Sequence, residues 1–183
     1  MKYSKVAAIK CLPMIMLFGA PALAQTLQNN NTLEADLNGF QEVPPISTAA
    51  TGKFRAQIDP TGNTIAYELS YQGLEGSAQE AHIHFGQPGV SGGVSVFLCS
   101  NLANLPPFGV AIPPGAQSCP TPSGTVRGII QASDVIGPTA QGISAAEIAK
   151  LLAAMRADVT YADVHSSNAP NSEIRGQILS GSG

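Results

Sequence analysis

Histidine occurs at only three positions of this 183-residue chain, and two of them are separated by a single residue. His82 and His84 lie in AHIHF, and His165 lies far downstream in ADVHS. Alternate side chains of a β-strand point to the same face, so the first two imidazoles would point together, away from the flanking Ile83. Because neutral imidazole is a common ligand of transition metals, this spacing indicates part of a metal site.

A third ligand would come from His165 if its segment lies beside the first one. Three imidazoles leave an open coordination position and suit one copper or zinc ion, and much less calcium or magnesium. The alternative is that these rings hydrogen-bond to backbone carbonyls or carboxylates beneath a loop and bind no metal. The spacing alone leaves both interpretations open.

Eight short segments alternate apolar and polar residues between turn-forming residues, which is typical of half-buried strands. They include both histidine segments, and their approximate ranges are 32–38, 53–59, 64–71, 79–85, 94–98, 124–131, 159–165 and 174–179. The sequence DPTGN between the second and third segments predicts a hairpin turn. We therefore expect an all-β domain, an antiparallel β-sandwich or barrel of about eight strands.

One segment follows helical rather than strand periodicity. In ISAAEIAKLLAAMRAD, Ser144 precedes Glu147 by three residues, as in a capping box, and strong helix formers follow. The apolar residues that fall on one helical face are Ile148, Leu151, Leu152 and Met155. The pattern predicts one amphipathic helix near 144–157 that packs on the strands.

Residues 1–24 have the pattern of a secretion signal: basic residues, a short apolar run and APALAQ, which predicts cleavage after Ala24. The polar stretch 25–31 is expected to be a flexible lead-in. We therefore expect a secreted or periplasmic protein whose mature chain forms one domain without a transmembrane segment. Removal of three lysines leaves six basic residues against twelve acidic ones, which argues against a nucleic-acid partner.

Export also changes the expected state of the cysteines. Cys11 would leave with the signal, and Cys99 and Cys119 would remain as a pair in an oxidising compartment. Their spacing is unlike that of a redox-active or metal-binding Cys-x-x-Cys pair. We therefore expect a structural disulfide, which would stabilise the fold by about 3 kcal/mol through the lost entropy of the unfolded chain.

Charged residues elsewhere have candidate supporting roles. Glu80 would lie on the same strand face as His82 and could orient its ring. Arg175 is expected to form a structural ion pair with Glu42 or with Asp163 rather than to touch a ligand. The sequence contains no recognisable nucleophile motif or phosphate-binding glycine loop, so no catalytic residue is assigned.

Three motifs, LNGFQEVPP, GLEGSAQEAHIHFG and VHSSNAPNSEIRGQI, occur in this order and resemble the CHRD domain of chordin and of many exported microbial proteins. The resemblance covers residues 32–180, nearly the whole of the expected mature chain. It implies an immunoglobulin-like β-sandwich and no settled biochemical function.

The second and third motifs are also distantly similar to copper/zinc superoxide dismutases, which are Greek-key sandwiches. That similarity implies copper binding by His82, His84 and His165, and an anion-guiding role for Arg175. Two departures count against dismutase activity. The sequence QPGVSGGV after the histidine strand supplies no bridging histidine and no zinc ligands, and the stretch from His165 to Arg175 is shorter than in those enzymes.

Two functions are compatible with these observations. The first is non-enzymatic: an exported domain that binds an unknown protein or small ligand, or contributes to the cell envelope, and carries a three-histidine copper or zinc site. The second is a copper-dependent redox protein of superoxide-dismutase-like type. The missing loop and the missing fourth histidine favour the first.

Overall fold

The computed structural model describes residues 31–102 and 111–181. The expected signal peptide, Cys11 and all but the last residue of the expected lead-in lie outside the described residues. Within them the chain forms eight β-strands, one α-helix and three short 3₁₀ helices. No helix in this part of the chain is long and apolar enough to span a bilayer.

The eight predicted strands are all present, and their ends differ from the predicted ones by no more than two residues. The strands are β1 Thr32–Asn38, β2 Thr51–Ile58, β3 Ile65–Gln72, β4 Ala78–Phe85, β5 Gly93–Ser100, β6 Gly124–Ile130, β7 Thr160–Ser166 and β8 Ile174–Ser180. The 3₁₀ helices are Gly39–Gln41, Ala132–Asp134 and Thr139–Gln141.

The strands form one continuous antiparallel sheet in the order β5-β4-β7-β8-β1-β2-β3-β6. The sheet curls nearly into a barrel, and its ends approach each other, since the Tyr67 hydroxyl of β3 donates to the Leu98 carbonyl of β5 at 3.0 Å. The β3–β4 and β6–β7 connections cross between the two halves of the sheet, as in a Greek key. The expected all-β class of about eight strands is confirmed.

The hydrophobic core lies between the two halves of the curled sheet, and every strand contributes inward-facing side chains to it. Its largest fully buried members include Phe54, Leu33, Leu37, Ile58, Ile65, Leu69, Ile83, Leu98, Ile130 and Ile174. In β4, Ala81 and Ile83 are fully buried in this core. His82 and His84 therefore point to the opposite, outer face of the sheet, as the strand alternation predicts.

The helix α1, Ile148–Arg156, is shorter than the predicted 144–157, and Ser144 is not its N-cap. The reason is Ala146, whose φ of 66° is left-handed and incompatible with a helix starting at Ser144. Glu147 is the N-cap, and its carboxylate still accepts a hydrogen bond from the Ser144 N–H at 2.7 Å. The apolar face is buried as predicted, through Leu151, Leu152 and Met155.

The expected disulfide joins the end of β5 to the segment that leads into β6. The sulfur atoms of Cys99 and Cys119 are 2.03 Å apart. Asn101 reinforces this connection, because its side-chain amide donates to the Cys119 carbonyl at 2.8 Å and its Oδ1 accepts from the Cys119 N–H at 3.0 Å. The prediction of a Cys99–Cys119 pair is confirmed.

Gly176 of β8 lies directly against the backbone of β1. An added Cβ would lie 2.6 Å from the Asp36 carbonyl oxygen, and a main-chain atom cannot rotate away. We therefore expect Gly176→Ala to destabilise the fold by about 1–3 kcal/mol, measured as a lower midpoint of urea unfolding. Gly181→Ala is the control, since its Cβ would lie 3.4 Å from the nearest atom. Equal midpoints for the two variants would contradict the expectation.

Candidate metal centre

The strands β4 and β7 lie side by side and present all three histidines on one face. Their antiparallel register pairs His82 directly with Asp163. His84 and His165 each stand two positions from that pair on their own strands, so they point to the same outer face. The segment of His165 therefore lies beside the first histidine segment, as a third ligand requires.

The side chains on this face converge. One nitrogen from each histidine and one carboxylate oxygen of Asp163 lie within 4.8 Å of one another. Nε2 of His165 is 3.2 Å from Nδ1 of His82 and 3.3 Å from Oδ2 of Asp163. Nε2 of His84 is 3.1 Å from the same carboxylate oxygen. Donors about 2.1 Å from a tetrahedral ion lie roughly 3.4 Å apart, so these spacings fit four ligands around one ion.

Asp163 is the functional candidate that the sequence reasoning placed in a supporting role only. Its carboxylate lies among the three rings, and it is 3% exposed. A signal was present in the sequence: Asp163 stands two positions before His165, so strand alternation places both on one face. The candidate ligand set therefore has four members rather than three.

Backbone carbonyls orient two of the rings. Nδ1 of His84 lies 2.9 Å from the Gly92 carbonyl oxygen, and Nδ1 of His165 lies 2.9 Å from the Pro170 carbonyl oxygen. A carbonyl only accepts, so each Nδ1 carries the hydrogen and donates it. In the neutral rings Nε2 then faces the cluster with its lone pair, which is how metal-binding histidines are commonly oriented.

His82 lies deepest in the cluster and is fully buried. The Phe97 ring packs edge-on against it, with 4.4 Å between ring centroids. Its Nε2 lies 3.8 Å from Oε2 of Glu80, which is too long for a direct hydrogen bond. Glu80 is itself buried and accepts a hydrogen bond from Ser100 Oγ at 3.3 Å. The structure thus places Glu80 beside His82, the position that a ring-orienting role requires.

The electrostatics of the cluster define its metal-free state. Burial lowers the pKa of His82 to about 4, so this ring is neutral near pH 7. Burial also opposes a charge on His165, but the Asp163 carboxylate outweighs it and raises the pKa of His165 to about 9. The neighbouring histidines likewise outweigh burial and hold the pKa of Asp163 well below its usual range. Without a metal, His165 and Asp163 therefore form a buried ion pair.

That ion pair does not satisfy every polar atom of the cluster. Within the described residues, Nε2 of His82, Nε2 of His84 and Oδ1 of Asp163 are buried and have no hydrogen-bond partner. Buried polar atoms without partners are rare in folded proteins. In the neutral His84 ring, moreover, the Nε2 lone pair faces a carboxylate oxygen at 3.1 Å. Two acceptors at that separation repel each other unless a proton or a cation lies between them.

A cavity of about 280 Å³ adjoins the cluster on the side of His84, Asp163 and His165. Its wall also includes Tyr161, which stacks on the His84 ring with 4.8 Å between centroids, and Arg175. A polar space of this size admits water or a small ligand. The cluster is therefore closed on the His82 side and faces open space on the other.

Arg175 does not form the structural ion pair expected with Glu42 or with Asp163. Its guanidinium carbon lies 3.4 Å from the centroid of the Tyr161 ring, and its Nη2 donates to the Gln87 carbonyl at 3.1 Å. An aromatic face and a carbonyl oxygen both attract a guanidinium, so these contacts stabilise the cation without a carboxylate. The expected ion pair is wrong, and Arg175 lies instead on the cavity wall.

Glu42 has a different partner from the one expected. Its Oε1 accepts a hydrogen bond from the Ser172 hydroxyl at 2.6 Å, which connects the β1–β2 loop to the β7–β8 loop. Burial, together with the charge of Asp163, raises the pKa of Glu42 to about 7. Glu42 also lines the cavity, so both loops contribute to the wall around the cluster.

Together the fold and the site define a class: an antiparallel Greek-key β-domain with a buried histidine–aspartate cluster on the outer face of two adjacent strands. The chain belongs to the CHRD domain family, whose model matches residues 33–178. The family resemblance seen in the sequence motifs is thereby confirmed. Comparisons with curated proteins and with solved structures give no match to this chain.

Proposed function

We propose that this chain is an exported CHRD-domain protein that binds one transition-metal ion, copper or zinc, in a non-enzymatic binding or envelope role. The proposed ligands are His82, His84, His165 and Asp163. The observation that carries the proposal is the convergence of their four donor atoms within 4.8 Å of one another. Three imidazoles and a carboxylate are donors that copper and zinc accept in proteins.

Two further features support a metal rather than a ring-packing role. The carbonyls of Gly92 and Pro170 leave Nε2 of two rings facing the cluster, as described above. A cation between His84 Nε2 and the Asp163 carboxylate would also remove the repulsion between two facing acceptors. Export is supported by the pattern of residues 1–24 and by the Cys99–Cys119 disulfide, a bond typical of oxidising compartments.

The test is the metal content and stability of the full chain produced in a bacterial periplasm. We expect close to one copper or zinc ion per chain, and a free-energy gain of about 2.7 kcal/mol when free Zn(II) is at 100 times its Kd. Thermal unfolding with and without Zn(II) measures the gain, and the mass of the sample checks cleavage after Ala24. A metal-free protein whose stability ignores Zn(II) and Cu(II) would refute the proposal.

A second candidate function is a copper-dependent redox protein of superoxide-dismutase-like type. The observation that favours it is the position of Arg175, which lines the same cavity as His84 and His165 and is not paired with a carboxylate. A superoxide-decay assay on copper-loaded protein decides between the two. Decay no faster than with the metal-free protein leaves the non-enzymatic role, and faster decay that is lost in Arg175→Ala supports the redox role.

A further inference from the structure

We infer that the proposed site holds its metal in the divalent state and binds copper as Cu(II) in preference to Cu(I), with Asp163 as the residue responsible. This inference rests on the proposed function, because it assigns an oxidation state to the ion at the same four ligands. It is carried by the donor types, by the buried charge of Asp163 and by the cavity beside it.

The donor types favour a divalent ion. Soft sulfur ligands select Cu(I), whereas imidazole and carboxylate suit divalent ions. Within residues 31–102 and 111–181, no sulfur atom is free to join the cluster. Cys99 and Cys119 are bonded to each other, and Met155 is buried in the hydrophobic core. The four donors are therefore three nitrogens and one oxygen.

The charge of Asp163 favours the same oxidation state. This carboxylate is buried, and its Oδ2 lies 3.1 Å from His84 Nε2 and 3.3 Å from His165 Nε2. At a given position a dication is attracted to a buried anion twice as strongly as a monocation, since Coulomb energy is proportional to charge. The cation nearest in the cavity wall, Arg175, is turned toward Tyr161 and Gln87 and forms no ion pair with this carboxylate.

The shape of the site also favours a divalent ion. The cavity of about 280 Å³ adjoins His84, Asp163 and His165, so water or a small ligand can complete a fifth coordination position. Cu(II) takes tetragonal arrangements of nitrogen and oxygen donors, and zinc can expand to five ligands. The open side therefore adds one more oxygen donor of the type that divalent ions prefer.

The test compares dissociation constants for Cu(II) and, without oxygen, for Cu(I), each measured by competition with a chromogenic chelator. For the wild type we expect a Kd at least tenfold lower for Cu(II) than for Cu(I). Asp163→Asn is expected to raise the Cu(II) Kd about 100-fold and to change the Cu(I) Kd less than about threefold. Each tenfold change in this ratio raises the Cu(II)/Cu(I) potential by about 59 mV.

Asp36→Asn is the matched control, because the Asp36 side chain is 80% exposed, and it should change neither constant. A wild type that binds neither Cu(II) nor Zn(II) would refute the proposed function itself. A wild type that binds Cu(I) as tightly as Cu(II), or an asparagine variant that weakens both equally, would overturn only the inference drawn here. If Asp163→Asn does not fold, the wild-type ratio alone decides.

Discussion

His84→Ala is expected to lower the affinity of the protein for Zn(II) by at least about 100-fold, because loss of even a supporting partner of a metal ligand costs about 10–100-fold. The variant removes Nε2, which faces the Asp163 carboxylate at 3.1 Å, and leaves three donors. His84 lines the cavity, whereas His82 is fully buried. Its truncation therefore disturbs core packing less and reports on coordination more directly. Zn(II) titration against a competing chelator measures the change.

The control for this variant must alter the same cavity without removing a ligand. Asn171 lines the cavity and is exposed, so Asn171→Ala should bind Zn(II) as the wild type does. The two metal-free variants should both keep the wild-type far-ultraviolet circular dichroism spectrum. Wild-type zinc affinity in His84→Ala would show that this ring is not a ligand.

Removal of the disulfide is expected to have the largest effect on stability. Cys99 and Cys119 are separated by 20 residues, and opening a loop of that length costs about 3 kcal/mol through the gain in unfolded-chain entropy. For a domain of this size we expect the melting temperature of the double variant Cys99→Ala/Cys119→Ala to fall by about 6–12 °C. Scanning calorimetry on the metal-free protein measures the shift and avoids any contribution from bound metal.

Chemical reduction provides an independent comparison for the same effect. Wild-type protein treated with a phosphine reductant should melt near the temperature of the double variant, since both lack the cross-link. Reduced and untreated protein with the same melting temperature would contradict the entropic argument. Two free thiols at these positions in denatured, unreduced protein would contradict the disulfide itself.

Much of the fold could be predicted because the signals are local. Each strand announces itself through alternation, and Ile83 between His82 and His84 determines which face carries the rings. The start of α1 could not be predicted, although Ser144 and Glu147 have capping-box spacing. The Ala146 N–H bonds to the Val135 carbonyl at 2.8 Å, a distant contact that accompanies its left-handed conformation and delays the helix by one turn.

The candidate site divides in the same way. Local alternation by itself determined that His82 and His84 share one face, and it applies equally to Asp163 and His165. Only the tertiary structure decided that the two pairs meet, because His82 and His165 are 83 residues apart and no local preference selects the partner of a strand.

The contacts of Arg175 were likewise decided by tertiary structure. A buried cation requires compensating partners, and this could be expected from its residue type alone. Which partner compensates it depends on what the folded chain places nearby, and here that is the Tyr161 ring and the Gln87 carbonyl. Residue types and their alternation thus determined the available donors and their faces. The strand order β4-β7-β8 decided which of them converge, because burial of the whole sheet rather than any single segment sets that order.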